Sequence, residues 1–113
     1  MIRSLKLAVA AALLAPSAAI AGASGFALVN ASGVDFSSVS IRRTGAADWR
    51  TLGAAPANGV RAAVAFEDPD CAFDIRASLT GGGEAVWRGV NLCEVKSVTL
   101  RRGPSGAPFV DYD

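Results

Sequence analysis

The chain has 113 residues, with 11 Lys and Arg against 10 Asp and Glu and no histidine. The near-balance of charge argues against nucleic acid or an anionic membrane surface as the main partner, since both rely on a basic excess. The missing histidine removes Ser-His-Asp and Cys-His catalysis and the commonest zinc ligand.

Met1 to Lys6 is a short positive start, and Leu7 to Ile20 is an apolar run broken only by Pro16 and Ser17. Ala19-Ile20-Ala21 and Ala21-Gly22-Ala23 both fit the small-x-small rule for signal cleavage, so residues 1–23 read as a secretory signal peptide. The run is too short for a membrane anchor, and no membrane span is expected after cleavage. Without Arg3 and Lys6, nine basic residues face ten acidic ones. The rest of the chain is expected to form one domain over residues 24–102 and a loose tail over 103–113.

Gly25 to Asn30 predicts a first strand, apolar on both faces as in a central strand. Asn30 to Asp35 is turn chemistry. Phe36 to Ile41 predicts a second strand, and the parity change between Phe36 and Val39 predicts a bulge at Ser37-Ser38. Arg42 to Asn58 is irregular, with Trp49 and Leu52 as apolar anchors. Val60 to Phe66 predicts a third strand, and Glu67-Asp68-Pro69-Asp70 a sharp acidic turn.

Cys71 to Cys93 carries the strongest signal. Cys71, Phe73, Ile75, Ala77 and Leu79 share one parity and Asp74, Arg76 and Ser78 the other, the period-2 mark of a half-buried strand. Gly81-Gly82-Gly83 supplies a tight reversal, and Ala85 to Val90 returns as the partner strand. Folding about Gly82 sets Cys71 opposite Cys93, Ala77 opposite Trp87 and Arg76 opposite Arg88. Opposed residues on an antiparallel pair are close enough for a disulfide. A Cys71–Cys93 bond suits an exported chain made in an oxidising compartment. Ser97 to Arg101 is the last predicted strand, although Phe109-Val110 has the character of an edge strand. The predicted fold is all-β: a small antiparallel sandwich or barrel of about six strands with one disulfide-closed hairpin.

Candidate sites are few. Asp68, Asp70 and Asp74, with Glu67, form the one plausible ion site, but their spacing does not match a calcium loop, and Asp and Pro are ordinary turn residues. Trp49, Arg76 and Arg88 are the candidate binding surface: guanidinium forks match carboxylates, and an indole can stack on a ligand. The plainer reading makes the arginines a solvated, edge-protecting face and packs Trp87 beside the disulfide. No catalytic residue and no cofactor is assigned.

The segments Phe26-x-Leu28-Val29-Asn30-x-Ser32-Gly33, Trp49 with Leu52-Gly53, Cys71 to Arg76, and Trp87 through Leu92-Cys93 to Leu100 succeed one another in an order that resembles a family of small exported bacterial proteins of unknown function. Trp49-Arg50 stands where such proteins often have Trp-Gly, and the tail after Arg101 runs on further. The resemblance implies export and the disulfide and carries no activity. The expected role is a non-enzymatic binding or accessory module in the periplasm or outside the cell. Its partner would be an envelope or extracellular protein or glycan, and the chain a monomer. Rival readings are a carboxylate- or metal-dependent hydrolase and a secreted protease inhibitor.

Overall fold

The computed structural model describes residues 22–113; nearly all of the predicted signal segment lies outside them. Among the described residues there are eight strands in chain order: β1 (Phe26–Ala31), β2 (Phe36–Arg43), β3 (Arg50–Thr51), β4 (Arg61–Val64), β5 (Ala72–Leu79), β6 (Glu84–Asn91), β7 (Ser97–Arg102) and β8 (Pro108–Tyr112). They form two four-stranded sheets, β4-β1-β7-β8 and β3-β2-β5-β6. The fold is therefore all-β and sandwich-like, with two strands more than the six expected. One pairing also departs from the antiparallel expectation: β1 runs parallel to β7.

The two extra strands come from segments with little periodicity. β3 has two residues, too few for a period-2 pattern to register. β8 has five, and it orders the segment predicted to be a loose tail by pairing Val98 with Tyr112 and Leu100 with Val110. The domain thus runs on through Asp113, whose carbonyl accepts from the N–H groups of Lys96 and Ser97.

β1 sits between β4 and β7, which explains its two apolar faces. Phe26 and Leu28 are buried in the core, while Ala27, Val29 and Ala31 are half-covered on the other side. The bulge expected in β2 appears as a register shift between Phe36 and Ser38, which turns both Phe36 and Val39 inward. At the end of β1, Asn30 is fully buried and satisfied. Its Nδ2 donates to the Val34 and Pro56 carbonyls at 2.8 and 2.9 Å, and its Oδ1 accepts from the Ser32 N–H and hydroxyl. A buried amide with all these partners pins the 53–59 connector against the turn after β1.

Three phenylalanines cross from sheet to sheet. Phe66 meets Phe26 at 6.0 Å and Phe73 at 5.2 Å, edge to face in both cases. On the other side, Trp87 is 1% exposed, packs edge-on against Phe36 at 5.8 Å, and donates its Nε1–H to the Arg101 carbonyl at 2.9 Å. That bond ties β6 to β7 across the core, so Trp87 is an inter-sheet anchor.

The hairpin of β5 and β6 turns about Gly81. Ile75 pairs with Trp87, Arg76 with Val86 and Ala77 with Ala85, so the Ala77–Trp87 and Arg76–Arg88 pairs expected from a turn centred on Gly82 do not form. Moving the centre by one residue moves the pairing by two, which leaves the side chains between the turn and the irregularity at Arg88-Gly89 on their expected faces. Gly81, Gly82 and Gly83 have φ of 90°, 111° and 91°, a run of left-handed conformations that residues with a Cβ rarely adopt. Between Phe73 and Ile75 a register irregularity takes up an extra residue on β6, and beyond it Phe73 pairs with Val90 and Ala72 with Asn91. This brings the ends back together. Cys71 and Cys93 are joined, with their Cα atoms 5.1 Å apart.

The bond closes a loop over a sequence separation of 22. On the chain-entropy model such a loop stabilises the domain by about 3 kcal/mol. The Cys71→Ser, Cys93→Ser double variant is expected to lose about that much in urea unfolding; a loss below about 1 kcal/mol would show that strand pairing alone constrains the hairpin.

Candidate functional site

The outer face of β3-β2-β5-β6 gathers the polar residues of the predicted binding surface. Pairing of Ser40 with Thr51 and of Ile41 with Arg50 fixes the alternation of β3 relative to β2. Arg50 shares the inward parity of Ile41, and Trp49, one residue earlier, shares the outward parity of Arg42. The indole therefore lies over the sheet rather than in a free loop. The guanidinium of Arg42 stands 4.4 Å from its centroid and that of Arg76 stands 4.3 Å away. At these distances the cations are held by the ring quadrupole. Trp49 is half-buried as a result.

Of the three residues predicted for this surface, the fold brings Trp49 and Arg76 together directly. Arg88 occupies the same face on β6, diagonal to Arg76, and is exposed. It makes no ion pair among the described residues. Arg76 has only Glu84, at 4.0 Å. Arg42 completes the stack and was not among the predicted residues. Its sequence signal was its parity: it is the outward residue of β2 nearest to Trp49.

Beneath the stack lies Asp74, 2% exposed. Arg42 Nε donates to its Oδ2 at 3.0 Å, while Thr44 Oγ1 and the Gly89 N–H donate to Oδ1 at 2.9 and 3.0 Å. Gly89 has φ of 64°, and the irregularity at Arg88-Gly89 turns its N–H onto the carboxylate. Burial by itself pushes the Asp74 carboxyl up. The Gly89, Arg42 and Thr44 hydrogen bonds outweigh it, and the group ends below the usual carboxylate range.

Asp68 is served by the next arginine along. Arg43 reaches its Oδ1 at 3.1 Å and Asp70 at 3.0 Å, and Arg50 approaches Asp68 at 3.7 Å. Desolvation again pushes the carboxyl up, but the Asp70 N–H, Arg43 and Arg50 hold it below its ordinary value. Arg42 and Arg43 are consecutive strand residues with opposite directions. They draw Asp74 and Asp68 apart, so the three carboxylates considered as an ion site do not converge. Among the described residues, no group of three or more His, Cys, Asp or Glu side chains is placed to hold a metal ion.

On the opposite side of β3 a cleft of about 350 Å³ opens between the edge strands β3 and β4. Ile41, Leu52, Val64 and Phe66 form its apolar floor, and Arg50 stands at its mouth with its guanidinium 5.7 Å from the Phe66 ring. β3 therefore separates two surfaces, with Trp49 on one and Arg50 on the other.

Because both carboxyls are depressed in the folded chain, their stabilising effect is complete above the unfolded carboxylate value of about 3.9. It is lost as pH falls through the lower folded values. Urea unfolding across the acid range is expected to show stability dropping below about pH 4, and Asp74→Asn should flatten that slope. At neutral pH, Asp74→Ala should remove about 3 kcal/mol by orphaning Arg42, Thr44 and the Gly89 N–H. An unchanged acid slope in Asp74→Asn would mean that the carboxylate does not couple to folding.

No protein-family profile matches the chain, and no curated protein matches it. Among solved structures, the chain is similar to one described as an NMR structure of the protein from Eubacterium rectale. The TM-score is 0.51 at 10% identity, covering 86% of this chain and 94% of the other. At that identity the likeness is one of fold alone.

Proposed function

We propose that the protein is an exported, disulfide-stapled binding module of the cell envelope, without catalytic chemistry, and that its ligand is an extended acidic polypeptide segment. Export is supported by the leader-like start, by the resemblance to small exported proteins, and by a disulfide that suits an oxidising compartment. No helix among the described residues is long and apolar enough to cross a membrane. The chemistry of the side chains favours binding over turnover. Both cysteines are oxidised, histidine is absent, and the two buried carboxyls are held ionised by arginines, so neither is a proton donor at neutral pH.

The observation that carries the reading is the stack of Arg42, Trp49 and Arg76 with exposed Arg88 beyond it. These residues cross the sheet from β3 to β6, a width of roughly 14 Å, about the reach of four extended residues. The Trp49 ring already holds two cations, so its role is to fix the guanidinium of Arg76 rather than to stack a ligand. A pre-positioned guanidinium loses less freedom when it grips a carboxylate. Arg76 and Arg88 then take carboxylates presented on one face of an extended chain.

A short peptide alternating glutamate and valine is expected to bind the intact domain, more weakly as ionic strength rises. The Arg76→Ala, Arg88→Ala pair should weaken it by about tenfold or more, and Trp49→Ala by a smaller factor. Binding indifferent to both arginines would sink the site. Preference for a polyuronate over the peptide would transfer the face to a glycan.

A further inference from the structure

Two small-x-small sites end the leader, Ala19-Ile20-Ala21 and Ala21-Gly22-Ala23, and both meet the rule a signal peptidase reads on the unfolded chain. The fold separates them. Ala23 is 1% exposed and belongs to the hydrophobic core. Its N–H donates to the carbonyls of Asp68 and Asp70 at 2.8 and 3.2 Å, and its carbonyl accepts from the Asp68 N–H at 3.1 Å. Together they form an antiparallel bridge outside the eight strands.

Asp68 is itself only 7% exposed. Removing Ala23 would leave the backbone N–H and C=O of Asp68 without their partner where little water reaches them. Gly22 is seated as closely. A Cβ at that position would lie 2.2 Å from the Asp68 carbonyl oxygen and 2.8 Å from the Pro69 Cα, so the chain passes there only without a side chain. Both residues are parts of the domain, not the trailing end of a leader.

We infer that the exported chain is processed by hydrolysis of the Ala21–Gly22 peptide bond, so that the mature protein begins at Gly22 and keeps Ala23 in its core; this rests on the proposal that the chain is exported. Water supplies the hydroxyl to the Ala21 carbonyl carbon and a proton to the Gly22 nitrogen as the amide bond breaks. The new α-amine is protonated at neutral pH. It arises beside the acidic turn Glu67-Asp68-Pro69-Asp70, where a positive charge is favoured.

The full chain, expressed with its own N-terminus in a bacterium and recovered from the envelope fraction, is to be measured by intact mass. A product beginning at Gly22 supports the inference. One beginning at Ser24, or at any other internal residue, overturns it while leaving export standing. A chain that keeps Met1 and stays in the cytoplasm sinks the export reading instead. A second measurement tests the physical reason. Ala19→Phe in the full chain disables the first site alone, because residue 19 is not part of the second. Its product should begin at Ser24 and melt about 4–8 °C below the wild type. Equal melting temperatures would show that the Ala23 bridge does not hold the domain.

Discussion

The Asp74 carboxylate ties together the three longest strands of the molecule, and the outer face of the sheet depends on it. A carboxylate that is 2% exposed persists only when its lone pairs are occupied and its charge is met. Arg42 from β2 supplies the charge, and Thr44 beyond β2 and Gly89 in β6 supply the remaining donors. Each partner is thereby placed in turn. The Gly89 N–H needs the irregularity in β6, and that irregularity resets the register so that the hairpin ends come within disulfide distance. Arg42, anchored at one end by Asp74, offers its guanidinium to the Trp49 ring. The buried charge, the bulge, the disulfide and the cation–π stack are four parts of one arrangement.

The sandwich is closed on one side and open on the other. At the closed side β6 runs beside β8, bound by the Tyr112 hydroxyl, which accepts from the Asn91 N–H at 2.9 Å, while the Trp87 indole on the Arg101 carbonyl ties β6 to β7. At the open side the edges are β3 and β4, two and four residues long. Short edges expose few unpaired backbone groups, a common protection against edge-to-edge aggregation. The cleft between them is bridged by Phe66 and guarded by Arg50. The segment leading out of β4 continues into Asp68, where it meets Ala23. Ala23, the acidic turn and the two arginines Arg43 and Arg50 therefore meet at one corner.

The arginines are not interchangeable members of a solvated face. Arg42 and Arg43 neutralise the buried Asp74 and Asp68, and Arg101 pairs with Asp111 across β7 and β8. Arg76 is positioned by an indole, and Arg88 stands free of ion pairs among the described residues. Composition counts all of these as equal charges. Only their partners separate the structural cations from those available to a ligand.

Local pattern was enough for much of this protein. Period-2 alternation marked β5, because a half-buried strand writes its two faces into successive residues, and short runs rich in apolar residues marked β1, β2, β4, β6 and β7. The parity break at Ser37-Ser38 announced a bulge, the glycine run announced a reversal, and two cysteines at the ends of one ribbon announced a bond. The same pattern was blind to β3 and showed β8 only as the edge-strand character of Phe109-Val110; both are strands because a neighbour pairs with them, not because their own residues alternate. It misplaced the hairpin centre by one residue, since three consecutive glycines permit several reversals and only the packing of Trp87 against Phe36 and the Arg101 carbonyl selects one. It left the carboxylates as a loose acidic group, whereas the opposite directions of Arg42 and Arg43 assign each to its own cation. Sequence determined which segments could be strands and which compartment suits the cysteines. Tertiary structure decided which strands are neighbours, which charges are spent inside the fold, and that Gly22 and Ala23 belong to the domain, because those outcomes depend on residues far apart in the chain meeting in space.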